Sequence, residues 1–398
     1  MVLLAPIAPA ATGNGLAMRV ALFANAAVAD FDVHVVVVPV AGSAPGATRE
    51  LPANVTVVEL AQLEQIRSGL SEMLGDAAGR SRLALAAPLP RLARVAPPML
   101  ATGIAARLPP GPIAVHITRS YLAPLGLALA ERTSAPWVTL DLDEDDESLA
   151  ATMGNQDEAE AYGRLVKVFG PLATATAVAA PREAEVLRTR HGIDPMVIPN
   201  AVVLPHAAPR PAEPGPAALL FVGNLTYAPN IEAAAALAND VLPEVRRILG
   251  SPVALTIAGP FEENSRQAAG RDPDVYWLGF VPDLAPLYAT ARVVVAPLRA
   301  GGGTRIKLLE AFAHGVPVVS STAGAAGLEV IDGVHLVIAD GASETAAAVA
   351  RVLENATLAQ RLRDNAAELV RRAYSVDAVA PRVREFLAGA ASAGGAAR

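Results

Sequence analysis

The sequence predicts an α/β protein of two Rossmann-like, doubly wound parallel-sheet domains facing a central cleft. Three observations predict it. Short runs of Val, Ile, Leu and Ala recur at the length of strands buried on both faces. Glycine-bearing turns and alanine-rich helical stretches alternate with them, which is the rhythm of β-α-β units. A chain of 398 residues is also long for one core, and two domains of about 150–200 residues are the natural division.

Residues 2–6 read as a buried first strand. A loop carrying Gly13-Asn14-Gly15 leads into a helix over 16–29, and Asp32-Val-His-Val-Val-Val-Val-Pro39 follows as a β-branched strand. Further strands fall at 113–117, 137–142, 176–180 and 196–198. The second half repeats the pattern: a strand at 218–222, a helix over 230–249, and a strand at 253–258 ending at Gly259-Pro260. Then come a strand at 275–278, a helix from Asp283, a strand at 292–296 and a helix over 304–314. Strands at 316–320 and near 335–338 follow, and helices fill most of 343–372. The proline-rich loop 205–216 marks the boundary. The domains are therefore 1–205 and 206–375. Residues 376–398 hold a last helix, about 376–388, that crosses back onto the first domain, and a frayed alanine- and glycine-rich tail after it.

Composition narrows the function. Apolar residues make up 53% of the chain, and the 33 prolines are scattered, which reads as punctuation of a folded chain. A net charge of −7 gives no support to a general nucleic-acid binder. The absence of cysteine excludes disulfide scaffolds and thiolate metal sites and fits a reducing compartment. The apolar opening MVLLAPIAPAA lacks a basic flank and is better explained as a strand than as a secretion signal. With no apolar run of transmembrane length, the expectation is a soluble, cytoplasmic protein.

The most informative stretch is Pro297-Leu-Arg299-Ala-Gly301-Gly302-Gly303-Thr304-Arg305-Ile-Lys307-Leu-Leu-Glu310, which follows a buried strand and opens a helix. Three glycines let backbone N–H groups turn inward, and a helix N-terminus adds partial positive charge. Arg305 and Lys307 place full positive charges in the first turn, against the helix dipole, unless an anion sits there too. A diphosphate is the economical explanation. Glu310 lies farther along the same helix, where a carboxylate accepts both hydroxyls of a ribose. The Walker spacing is absent. A helix with a flexible cap and ordinary surface charges is the plainer alternative.

The run from Gly301 through Glu310, continuing Ala-Phe-Ala-His314-Gly315-Val-Pro317-Val-Val-Ser-Ser, resembles the donor-binding core of family 4 glycosyltransferases with the GT-B fold. The resemblance extends to Phe221-Val-Gly223-Asn224, Asn230, Ile257-Ala-Gly259, Trp277-Leu-Gly279-Phe280-Val281, Gly324-Ala-Ala-Gly327-Leu and Ile198-Pro199-Asn200. It covers the C-terminal half in order and spacing, and the N-terminal half only in outline. It implies that Arg305 and Lys307 hold the diphosphate and Glu310 the ribose, and that backbone at Gly279, Phe280 and Val281 brackets the base. Amides around Gly302, Gly303 and Thr304 would contact phosphate or sugar, and Gly223 and Asn224 would lie near the phosphates. Many members carry a second glutamate eight residues before the first; here that position is Gly302, as in a subgroup with GGGTR-type loops. The change leaves the donor sugar open.

The resemblance further implies retention of anomeric configuration, a nucleoside-diphosphate sugar as co-substrate (UDP favoured, with GDP and ADP open), and no essential metal or resident cofactor. Catalysis would rest on Arg305 and Lys307 at the leaving diphosphate and on His116 orienting acceptor or sugar, with a structural histidine as the alternative. Gly15 would approach the donor phosphates from the first domain, or close a plain βα turn. Arg119, Asp141 and Asp143 are the other acceptor-side candidates. The acidic run Asp141-Leu-Asp143-Glu-Asp145-Asp146-Glu147 holds an Asp-x-Asp that could bind a Mg²⁺–nucleotide, but a solvated loop at the cleft rim is the preferred reading. Between Asp76 and Glu131 there is no acidic residue, while Arg80, Arg82, Arg91, Arg94, Arg107 and Arg119 accumulate. That stretch reads as a surface for an anionic acceptor or lipid headgroups, or as solvated arginines.

Three rival readings compete with this one. A GT-B-type nucleotide-sugar epimerase would need further acid/base carboxylates around the sugar. An NAD-dependent oxidoreductase is weakened because Met18 occupies the third glycine position of the dinucleotide fingerprint. A non-catalytic nucleotide-binding protein would be free to lose Arg305, Lys307 and Glu310. Abundant Ala, Arg, Gly and Pro fits a high-GC bacterial gene, so a small natural product or glycan is the expected acceptor.

Overall fold

The computed structural model of the chain describes residues 1–40, 55–59, 89–205, 217–268, 270, 272–299 and 305–396. It divides into two compact units, Met1–Asn200 with Val379–Arg398, and Ala201–Ala378.

The first unit is built on seven parallel strands: β1 (Val2–Ala5), β2 (Val33–Val37), β3 (Val55–Glu59), β4 (Val115–Thr118), β5 (Val138–Asp141), β6 (Ala175–Val178) and β7 (Met196–Val197). Their order across the sheet is β3-β2-β1-β4-β5-β6-β7. Central β1 has Leu3 in register with Val35 on one side and His116 on the other, and all four of its residues are fully buried. Each leucine removed from water there contributes about 2 kcal/mol. The helix Gly15–Ala27 follows β1, and its first amides, Leu16 and Ala17, donate to the Asn14 side chain.

Six parallel strands make the second unit: β8 (Ala217–Val222), β9 (Val253–Ala258), β10 (Val275–Trp277), β11 (Val293–Ala296), β12 (Val318–Ser320) and β13 (Val337–Ile338), ordered β10-β9-β8-β11-β12-β13. Both sheets are therefore Rossmann-like. In each, the chain reverses its direction of travel after the third strand, so β4 lies beside β1 and β11 beside β8. Open α/β sheets bind ligands at the carboxyl ends of the strands flanking such a reversal.

The long helix expected over 230–249 is interrupted. It runs as Ala228–Ala236, a π-helical stretch Leu237–Val241, and Leu242–Leu249. Pro243 has no N–H and would clash with the preceding turn, and the wider stretch just before it relieves both problems. Strand β3 was not anticipated, being a short isolated β-branched run. The last helix runs Val376–Ala396, through the tail expected to fray, because Ala390 and Gly394 still pack against the first unit, and it lies in that unit from Val379 onward. It buries Val379, Val383, Phe386, Leu387 and Ala390, a stripe of helical period, and Phe386 meets Phe23 edge-on at 6.4 Å. Among the described residues, no helix is long and apolar enough to cross a membrane.

Candidate functional site

The reversal point of the second sheet brings together Gly223, Asn224, Arg305, Lys307 and Glu310 of the sequence-predicted residues. Strand β8 ends at Phe221-Val222 and runs into Gly223, β11 ends at Ala296, and the helix Ile306–Ala313 follows β11. That helix buries Leu308, Leu309, Ala311 and Phe312. Its other face therefore carries Lys307 and Glu310, three residues apart and neighbours on one side of the helix. The Lys307 ammonium donates to Asn230 Oδ1 at 2.7 Å and lies 4.6 Å from the centroid of the Phe221 ring. Asn230 in turn donates through Nδ2 to the Asn224 carbonyl at 2.8 Å. Asn224 Oδ1 accepts from the backbone and hydroxyl of Thr226 at 3.0 and 2.8 Å, closing a tight turn.

Two glycines make this packing possible. A Cβ on Gly223 would lie 2.9 Å from the Lys307 nitrogen, so the missing side chain is the space that the ammonium uses. Gly259 has φ +137°, and a Cβ there would stand 1.9 Å from the Gly223 carbonyl oxygen. The β9 end can therefore approach the β8 loop only as glycine.

Glu310 Oε2 accepts from the Tyr288 hydroxyl at 3.2 Å, and the buried Tyr288 ring stacks on His314 at 4.8 Å. Arg305 precedes the helix and donates to the Ala323 carbonyl at 3.3 Å. Desolvation pushes the Lys307 ammonium down to about 7, with Arg305 acting in the same direction and Glu310 against it. Desolvation also pushes the Glu310 carboxyl up to about 7, opposed by the Tyr288 hydrogen bond and Lys307. Both side chains keep some exposure. Among the described residues, no carboxylate lies within 4.0 Å ion-pair reach of Lys307. At the edge strand, Gly279 (φ +66°) accepts from the Gly259 N–H at 2.8 Å, and Phe280 is 41% exposed. Gly302, Gly303 and Thr304 lie outside the described residues.

The remaining candidates, Gly15, His116, Arg119, Asp141 and Asp143, belong to the first unit. Gly15 opens the helix after the β1 loop. His116 is a fully buried residue of β4, with Nδ1 2.9 Å from Thr139 Oγ1 and its ring stacked on Phe23 at 4.5 Å. Burial, helped by Arg19, pushes it down to about 3, so the ring is neutral; its Nε2 has no hydrogen-bond partner among the described residues.

The acidic run is not a solvated loop, and this corrects the sequence reading. Asp141, Asp143 and Asp146 are buried. The reason is a pair of buried arginines. Arg19 grips Asp141 with two hydrogen bonds of 2.6 and 2.7 Å and also donates to Ile198 O and Asn200 Oδ1. Arg119 donates to Asp143 at 3.3 Å, to Glu144 at 2.7 Å and to Asp146, which also accepts from Ser120. Arg119 and Asp143 take φ values of +79° and +59°, costly for non-glycine residues and sustained by this network. Arg119 is thus no part of an exposed basic surface. Arg91 pairs with Glu158 at 3.8 Å, and Arg94 bonds the Leu89 carbonyl; Arg80 and Arg82 lie outside the described residues. No group of three or more His, Cys, Asp or Glu among the described residues could hold a metal ion.

Sequence reasoning missed Arg19 and Tyr288. A lone arginine in the apolar helix GLAMRVALFANAA was a usable signal, because such a charge needs a buried partner. Nothing local marks Tyr288.

Solved structures share the architecture along the whole chain. Sucrose-phosphate synthase from Thermosynechococcus elongatus superposes with a TM-score of 0.71 at 18% identity, covering 97% of this chain and 98% of that one. HepE from Anabaena, in complex with UDP and glucose, gives 0.66 at 14% identity over 97% and 99%. The α,α-trehalose 6-phosphate synthase from Burkholderia multivorans gives 0.65 at 17% identity over 100% and 99%. The chain therefore has the GT-B fold, with two Rossmann-like lobes. Residues 216–355 match the family model described as glycosyl transferases group 1, which relates the second unit to family 4 type glycosyltransferases. No curated protein sequence matches the chain.

Proposed function

We propose that the chain is a retaining, metal-independent glycosyltransferase. In this reading it moves a hexose-type sugar from a nucleoside-diphosphate sugar, UDP favoured, to a hydroxyl of a small natural product or glycan. One observation carries the proposal: Lys307 is a partly buried ammonium at the sheet reversal, held by a neutral amide and an aromatic ring instead of a carboxylate. A desolvated cation without an anion is costly, and a diphosphate at the same helix N-terminus would offset it.

In this reading Arg305 and Lys307 stabilise the diphosphate as its bond to the sugar breaks, an electrostatic preorganisation of the site. The acceptor hydroxyl attacks on the face that the phosphate leaves, and its proton passes to a phosphate oxygen. Glu310 accepts the ribose hydroxyls, the backbone of Gly279, Phe280 and Val281 brackets the base, and Gly302, Gly303 and Thr304 contact phosphate or sugar. On the acceptor side, Asp143 and Arg119 each keep 7% exposure and are the proposed contacts, and the fully buried Asp141 positions both by accepting their backbone N–H groups at 3.2 and 2.7 Å; His116, fully buried against Thr139 and Phe23, takes the structural role.

Thermal-shift and calorimetric titrations with UDP, GDP, ADP, dTDP and NAD, each with Mg²⁺ and with EDTA, test the proposal. One nucleoside diphosphate should stabilise the protein equally in EDTA, and Lys307→Ala should abolish the effect. Binding to NAD alone, or to none of the five, would sink it.

A further inference from the structure

We infer that Asn230 is a positioning residue for Lys307, and that its being an amide instead of a carboxylate keeps the ammonium available to a diphosphate. The inference rests on the donor-site reading above. Asn230 comes from the helix Ala228–Ala236, far in sequence from the helix that carries Lys307, and is 8% exposed. Its amide orientation is settled by its two partners. Oδ1 faces an ammonium at 2.7 Å, and Nδ2 faces a carbonyl oxygen at 2.8 Å. The flipped amide would set N–H against N–H and oxygen against oxygen.

An aspartate has the same size and would still accept from Lys307. However, it would neutralise the ammonium and turn its second oxygen toward the Asn224 carbonyl. Asparagine thus holds the nitrogen in place without cancelling its charge. The Phe221 ring face and the space left by Gly223 complete the seat, and neither contributes a negative charge. Among the described residues, the charged groups that act on Lys307 are Arg305 and Glu310, both at its own helix. The other elements around it present Asn230, Phe221 and Gly223, none of which ionises.

The test compares the wild type with Asn230→Asp and Asn230→Ala, titrated with UDP and with UMP over a range of pH; thermal unfolding of each unliganded variant checks folding. In Asn230→Asp the preference for UDP over UMP should narrow by about tenfold, the scale of one lost charge-assisted contact. The pH above which UDP affinity falls should move up in Asn230→Asp, where a carboxylate holds the proton. It should move down in Asn230→Ala, where the ammonium has lost its acceptor. A residue that merely braced the loop would leave the UDP preference and this pH unchanged in both variants, and that result overturns the inference. A wild type that binds no nucleoside diphosphate would overturn the donor-site reading instead.

Discussion

At the scale of single residues, Lys307 and Glu310 are displaced from opposite sides to about 7. A bound diphosphate favours the protonated lysine, so binding takes up a proton, and affinity falls as the pH rises through 7. On the proposed reading Glu310 serves the ribose hydroxyls as a carboxylate, so affinity also falls as the pH drops below 7. Calorimetry should therefore find the tightest UDP binding near neutrality, with a decline on the alkaline side approaching about tenfold per pH unit. Stability runs differently. Because the folded value of Lys307 lies below its ordinary 10.5, its charge costs stability fully below 7, and the cost fades as the pH rises toward 10.5. Lys307→Met should then raise the melting temperature at pH 6 by about 2 °C, have no effect near pH 10.5, and eliminate UDP binding. Unchanged melting at both pH values would show that the desolvation argument is wrong.

At the scale of elements, two glycines separate function from folding. Gly223→Ala sets a methyl against the Lys307 nitrogen, the movable end of a side chain, so it should weaken UDP binding by about tenfold with a stability loss of about 1 kcal/mol. Gly259→Ala drives a methyl into a backbone carbonyl at a φ that side chains rarely adopt, and should cost about 3 kcal/mol or more. Denaturant unfolding beside UDP titration distinguishes the two. In the first unit, Arg19→Met leaves Asp141 buried and unpaired and should cost about 3–5 kcal/mol, whereas Arg19→Met with Asp141→Leu should recover most of that. Equal losses in the single and double variants would mean that the pair is not what makes the loss large.

At the scale of the whole molecule, the last helix is an integral part of the first unit. Removing residues 379–398 uncovers the core against which Val383, Phe386 and Leu387 pack. Each side chain contributes about 1.5–3 kcal/mol, and together they are comparable to the whole stability margin of a domain. Limited proteolysis of the shortened chain should show rapid cutting within 1–200, with the unit Ala201–Ala378 cut more slowly. Slow cutting in both units would show the helix to be dispensable.

Alternation of β-branched runs with helical stretches was enough to read both parallel sheets, because that pattern is local and the strands are buried on both faces. The pairing of Lys307 and Glu310 was legible for the same reason: residues three apart on one helix are neighbours whatever surrounds them. Their partners were not legible. Asn230 meets Lys307 across 77 residues and Arg19 meets Asp141 across 122, and crossovers of a parallel sheet bring such pairs together without leaving a periodic trace. Misreading the acidic run has the same origin, since a cluster of aspartates looks solvated until the buried arginines facing it are known. The sequence by itself determined the two-sheet architecture and that Lys307 and Glu310 share one helix. Only the tertiary structure decided which charges are paired, because pairing depends on neighbours that the packing of distant elements supplies.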